Sequence, residues 1–201
     1  MQLIPARLIR AFGGINDLSN ERIHMKNTAR LVWLMIALAL LPSVCRAQDD
    51  NPLVHEGIVN APLDQVWAAF TTRVGLESWM AAHAEIDLKL GGAMKTQYDP
   101  QGKLDDARAI ENTILSYEPT RMLSFKVTKA PQGFPFPNAI KHMWTVVYFE
   151  PRTEKATRVR VVSMGFGNDD ESKKMREFFN RGNAFTLQLF QKRFAAKADA
   201  K

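Results

Sequence analysis

Two changes of hydrophobic period constrain this chain more than any single motif. From Leu63 the apolar residues recur at helical spacing, from Glu85 to about residue 166 they alternate with a period of two, and after Asp169 the helical spacing returns. Alternating segments are half-buried antiparallel strands, and an amphipathic helix that follows them can bury its apolar side only against their sheet. The pattern therefore predicts an α+β domain of one strand, two short helices, a run of about six further antiparallel strands and one long C-terminal helix.

The pieces read as follows. Leu53–Asn60 alternates weakly through Val54, Glu56 and Ile58 and is expected as the first strand. Ala61-Pro62 opens a helix with Pro at its first position and Asp64 against the dipole. Leu63, Val66, Trp67 and Phe70 form one stripe, with Trp67 as a core residue. Gly75 is expected to separate a second helix carrying Leu76, Trp79 and Met80. Along 85–90, Ile86, Leu88 and Leu90 share one face. Gly91-Gly92 permits a bulge or bend, after which Met94, Thr96 and Tyr98 face one way and Lys95 and Gln97 the other. Asp99-Pro100-Gln101-Gly102 has the chemistry of a tight turn.

Further strands are expected near 107–117, 121–128, 142–150 and 157–166. Leu123, Phe125 and Val127 face the core, as do Val159, Val161 and Ser163, with Arg158 and Arg160 outside. In 142–150 both faces are apolar: Met143, Thr145, Val147 and Phe149 on one, Trp144, Val146 and Tyr148 on the other. Alternation leaves open which points inward. The last helix is capped by Asn168 or Asp169 and carries Met175, Phe178, Phe179, Gly182, Phe185, Thr186, Leu189 and Phe190 on one broad face. A glycine within a helix costs about 1 kcal/mol against alanine. Gly182 therefore serves either close contact with the sheet or room for a ligand.

The N-terminal part has a different character. Residues 31–41, LVWLMIALALL, are uniformly apolar, shorter than the ~20 residues a membrane span needs, and flanked by Lys26 and Arg30. Pro42 and the small residues before Gln48 complete a secretory signal with cleavage after Ala47. Met25 starts such a signal by itself, so 25–47 is read as the signal peptide and 1–24 as a mis-assigned start or leader extension. Val44 disfavours lipidation at Cys45, so no stable membrane anchor is expected after processing. A periplasmic or secreted location follows, with 48–52 as linker, 53–196 as the domain and 197–201 as tail. Removing 1–47 leaves 21 basic against 19 acidic residues, so the basic balance is no argument for nucleic-acid binding.

Several short segments together resemble the helix-grip fold of the SRPBCC superfamily, to which START domains and birch-pollen-type allergens belong. They are Ala61-Pro62 with Val66-Trp67 and Phe70-Thr71, Trp79, Leu90-Gly91-Gly92, Tyr117-Glu118-Pro119-Thr120-Arg121, Thr157-Arg158 with Val159 and Val161, and Gly165-Phe166. Their order over 54–195 is most similar to the branch named after the activator of the heat-shock chaperone ATPase. Asn183 after Gly182 departs from the Gly-Trp common there. The resemblance implies a curved antiparallel sheet of about seven strands wrapped around the long C-terminal helix, an apolar cavity between them near Trp79, and no shared catalytic motif. Chaperone activation does not fit an exported chain, because the namesake partner is cytosolic and uses ATP.

Little here spells chemistry. His55, His83 and His142 lie on separate elements without ligand spacing, so no metal and no cofactor are expected. Ser163 is not in a nucleophile elbow, and Gly91-Gly92 is not a phosphate loop. The expected ligand-binding set is Trp79, Met94, Tyr98, Phe125, Phe136, Phe179, Gly182 and Thr186. Thr96, Tyr98, Glu111 and Asn112 are the polar candidates inside the cavity. The loop 130–138 places Phe134 and Phe136 between prolines, as core plugs or at a pocket mouth. The leading expectation is an exported, non-enzymatic module for a small apolar or amphipathic molecule. The alternatives are a cyclase- or dehydratase-like enzyme using Tyr98 or Glu111, and an interaction module or homodimer using Trp144 and Tyr148 on the outer sheet face.

Overall fold

The computed structural model describes residues 51–195, so the expected signal, its cleavage site and the tail lie outside the described residues. Seven strands form one antiparallel sheet: β1 (Leu53–Val59), β2 (His83–Ile86), β3 (Ala93–Gln97), β4 (Ile110–Glu118), β5 (Met122–Lys129), β6 (Trp144–Thr153) and β7 (Ala156–Met164). Their spatial order is β1-β7-β6-β5-β4-β3-β2, so the first strand closes onto the last. Helices α1 (Leu63–Thr71) and α2 (Arg73–Glu77) connect β1 to β2, and α3 (Asp170–Ala195) ends the described chain. The curved sheet grips α3, the helix-grip arrangement that the resemblance implies.

The main core lies where α1, the sheet and the end of α3 meet. Val59, Val66, Leu123, Val147, Val159 and Phe190 are fully or almost fully removed from solvent there. Val147 and Phe149 face this core, and Met143 and Thr145, on the same side by alternation, are buried too, which makes this set the inner face of the strand. A second cluster joins Ala139, Ile140, Met143 and Met175, with Phe134, Phe136 and Phe179 packed against it.

The start of α3 ties these layers together. Asp169 Oδ1 accepts from the Ser172 backbone N–H at 2.9 Å and caps the helix. Glu171 accepts from the backbone N–H groups of Asn138 and Ala139 at 2.8 and 3.1 Å, which pins the short 3-10 turn Ala139–His142 to the helix. Asp169 and Glu171 are both held below the usual carboxylate range, the first chiefly by the Ser172 side chain, the second by the Ala139 N–H.

Several local expectations are corrected. Pro62 caps α1 and does not sit within it. Thr72, not Gly75, separates the two short helices, and Trp79 follows α2 in a turn. Strand β1 presents Val54, Glu56 and Ile58 outward, while Leu53 and Val59 are buried. Strand β2 ends at Ile86 because Asp87 begins a tight turn through Gly91, whose φ is +73°, and Leu90 is left exposed. Gln97 is buried, because the 99–106 loop folds over it: its amide donates to Lys103 O and accepts from Asp99 N–H.

The buried side of α3 is also turned from the expected one. Along one flank, Arg176 donates to Asn51 O, Asn180 meets His55 and Gln191 donates to Ile58 O, so the helix runs beside β1. Gly57 faces this contact: a Cβ there would meet Gln191 Nε2 at 2.6 Å and push that flexible amide off Ile58 O. Taking 100° per residue, the buried face is rotated by roughly 60° toward β1. Leu187 is therefore buried, whereas Phe178, Phe185 and Leu189 remain exposed.

Candidate ligand cavity

On the flank of α3 away from β1, helix and sheet separate and enclose a cavity of about 410 Å³. That lies within the range usual for small-molecule sites. Its sheet wall is built from alternate residues of β3 to β7, among them Met94, Asn112, Phe125, Thr145, Val147 and Val161. Phe179, Gly182, Asn183 and Thr186 form the helix wall, and Phe70, Trp79 and Phe190 close one end. The exposed lining residues Tyr98, Phe178 and Gly182 mark the opening to solvent.

Of the expected set, Trp79, Met94, Tyr98, Phe125, Phe179, Gly182 and Thr186 are brought together around this space. Phe136 is not among the lining residues. It stands behind Phe134, which lines the cavity, and the two rings pack edge to face with centroids 5.6 Å apart. Phe178 and Phe179 complete this aromatic group, so the proline-rich loop both plugs the second cluster and borders the cavity. Gly182 does not serve close packing, for a Cβ there would find nothing within 4 Å.

Trp79 has two roles. Its indole N–H donates to Ala69 O at 3.0 Å, satisfying a carbonyl in the last turn of α1 that has no helical partner. Its ring packs on Phe70 and Phe190, with centroids 5.0 and 4.5 Å away, and forms part of the cavity end. Trp67, expected in the centre of the core, is only half-buried and meets Phe149 edge to face.

The polar groups of the lining are neutral. Thr96, Tyr98 and Asn112 lie on β3, its end and β4, while Glu111 is not part of the lining. Tyr98 stands exposed at the mouth, and its phenol is uncharged at neutral pH. A second polar group, legible beforehand only as the departure at Asn183, stands deeper. Asn183 Nδ2 donates to Ser163 Oγ at 3.2 Å, and Ser163 shares a 3.2 Å hydrogen bond with Thr145. Lys126 is the one charged residue touching the cavity, but Phe125 and Val127 on either side point in, so strand alternation directs its exposed side chain to the other face. Among the described residues no group of three His, Cys, Asp or Glu side chains is arranged to hold a metal ion.

An antiparallel sheet gripping a long helix over an apolar cavity defines a helix-grip domain. Residues 60–188 match the family model described as Activator of Hsp90 ATPase homolog 1-like protein, and the chain belongs to that family. A protein from Mesorhizobium loti has a similar structure, with a TM-score of 0.56 and 18% identity over 73% of this chain and 98% of its own. The Aha1 dimer from Colwellia psychrerythraea gives a TM-score of 0.54 at 15% identity, over 71% of this chain and 95% of that one. CalU16 from Micromonospora echinospora gives 0.53 at 17%, over 74% and 79%. At these identities the likeness concerns the fold alone. No curated protein matches the sequence.

Proposed function

We propose that the domain is a binding module that holds one small apolar or amphipathic molecule between α3 and the sheet, and that it works after export and cleavage behind Ala47. The observation that carries the binding reading is the cavity itself, about 410 Å³ of mostly apolar wall with a few convergent neutral polar groups. The lining offers no carboxylate or imidazole to move a proton, and its one phenol, Tyr98, stands exposed at the mouth. Both favour holding a ligand over transforming it. The export reading rests on the apolar run 31–41, its basic flank and the small residues before Gln48.

Mass spectrometry of the organic extract from protein expressed with its own leader tests the first part. A stoichiometric small molecule is expected; protein that carries none and binds no environment-sensitive apolar dye would end the binding reading. N-terminal sequencing of the exported form tests the second, with Gln48 expected first and retention of Leu31–Leu41 as the contrary result.

A further inference from the structure

We infer that the cavity selects an uncharged molecule with a hydrogen-bonding group, an alcohol, ketone or amide of about fifteen non-hydrogen atoms at interior packing density, and discriminates against the matching carboxylate or amine. This rests on the binding reading above and deepens it. Two polar stations stand on the cavity wall. The inner one is the Asn183–Ser163–Thr145 chain, in which Ser163 is fully buried and the flanking Asn183 and Thr145 line the cavity. Asn183 spends an N–H on Ser163 and keeps its carbonyl oxygen as an acceptor; the Thr145 hydroxyl can donate or accept. The outer station is Thr96, Tyr98 and Asn112, where the Asn112 amide makes only a long contact, 3.5 Å, with Met94 O. Between the stations, on β5, the wall is Phe125 and Val127.

Every side chain pointing into this space is neutral, so a buried carboxylate or ammonium would lose its hydration with no counter-ion to replace it. A hydroxyl or carbonyl meets both donors and acceptors at either station. A pure hydrocarbon would leave the two stations unpaired, which also weakens binding. The arrangement selects on charge first and on hydrogen bonding second.

The test uses the full chain with a neutral environment-sensitive dye in the cavity, displaced by 1-dodecanol, dodecanoate, dodecylamine or dodecane at pH 8. 1-Dodecanol should displace the dye at a concentration at least about tenfold below that of either charged probe, given the desolvation cost of an unpaired buried charge. Asn112→Leu should narrow the gap between 1-dodecanol and dodecane. Thr186→Lys, at a partly buried position on the helix wall, should bring dodecanoate level with the alcohol. Dodecanoate binding as well as the alcohol in the parent protein overturns the inference while leaving the binding reading in place. A bound dye that none of the probes displaces overturns it too. A protein that takes up neither dye nor probe removes both.

Discussion

The two flanks of α3 carry similar residues to different ends. On the β1 side, Asn180 and Gln191 are hydrogen-bonded to the strand and Arg176 to Asn51 just before it, Leu187 is buried, and Gln191 lies against Gly57. On the other side Phe178 and Gly182 border an opening, and Phe178, Phe185 and Leu189 are large apolar side chains left exposed. The helix is thus hung from one edge of the sheet. A cavity exists because one flank is tied down and the other is not, which also means that the two flanks should respond differently to substitution.

The strongest test of the tied side is Phe190→Ala. Phe190 is fully buried and packs edge to face on Phe70 at 4.7 Å and against Trp79 at 4.5 Å. Its loss should cost roughly 3–5 kcal/mol in urea unfolding. A change under 1 kcal/mol would mean that the closed end of the cavity is already loose. Next come the two tryptophans, each half-buried, for which truncation should cost roughly 2–4 kcal/mol. Trp79→Ala should be the larger because it also strips the Ala69 carbonyl of its donor and removes two ring contacts, against one for Trp67. The reverse order would place the closed end around Trp67.

Where the sequence misled, tertiary packing decided. Element types followed from period alone, because a half-buried strand and a one-sided helix leave different spacings. The direction of α3 did not: its apolar arc runs from Phe185 round to Leu187, wider than the side any one sheet can cover. Counting apolar residues places the buried face at the middle of that arc, whereas the polar ties of Asn180, Asn183 and Gln191 pull it toward β1. Gln97 was misplaced for a similar reason, since only the loop folded over it makes an outward strand position buried. Seven of the eight residues expected at the cavity do line it, Met94, Tyr98 and Phe125 by strand alternation and Trp79, Phe179, Gly182 and Thr186 by helical spacing. Phe134 and Phe136 were not separable, because a proline-rich loop has no period to tell inner from outer.

A smaller effect concerns the junction that holds the loop against α3. Asp169 and Glu171 titrate below their ordinary values, so their contribution to stability is complete above the unfolded-state carboxylate pKa and is lost as pH falls through the lower folded-state values. Limited proteolysis within 130–138 should therefore accelerate on acidification. Glu171→Gln should raise cleavage at neutral pH and weaken its dependence on pH. A pH-independent cleavage rate in the parent protein would show that the loop is held by Phe134 and Phe136 alone.

Gly182→Leu should have the least effect on folding and the greatest on the open flank. A side chain at this exposed position meets nothing within 4 Å, so no clash opposes it. Helix propensity favours leucine by up to about 0.8 kcal/mol, and stability should be kept or slightly raised. The new isobutyl group, however, projects from the helix wall into the mouth that Tyr98 and Phe178 border. Uptake of an apolar dye should fall sharply while the urea midpoint holds. The same substitution on the tied flank, Gly57→Leu, would drive into Gln191 and Leu187 and should destabilise the domain. If Gly182→Leu instead unfolds the protein, or leaves dye uptake untouched, the two flanks are not different in the way their contacts imply.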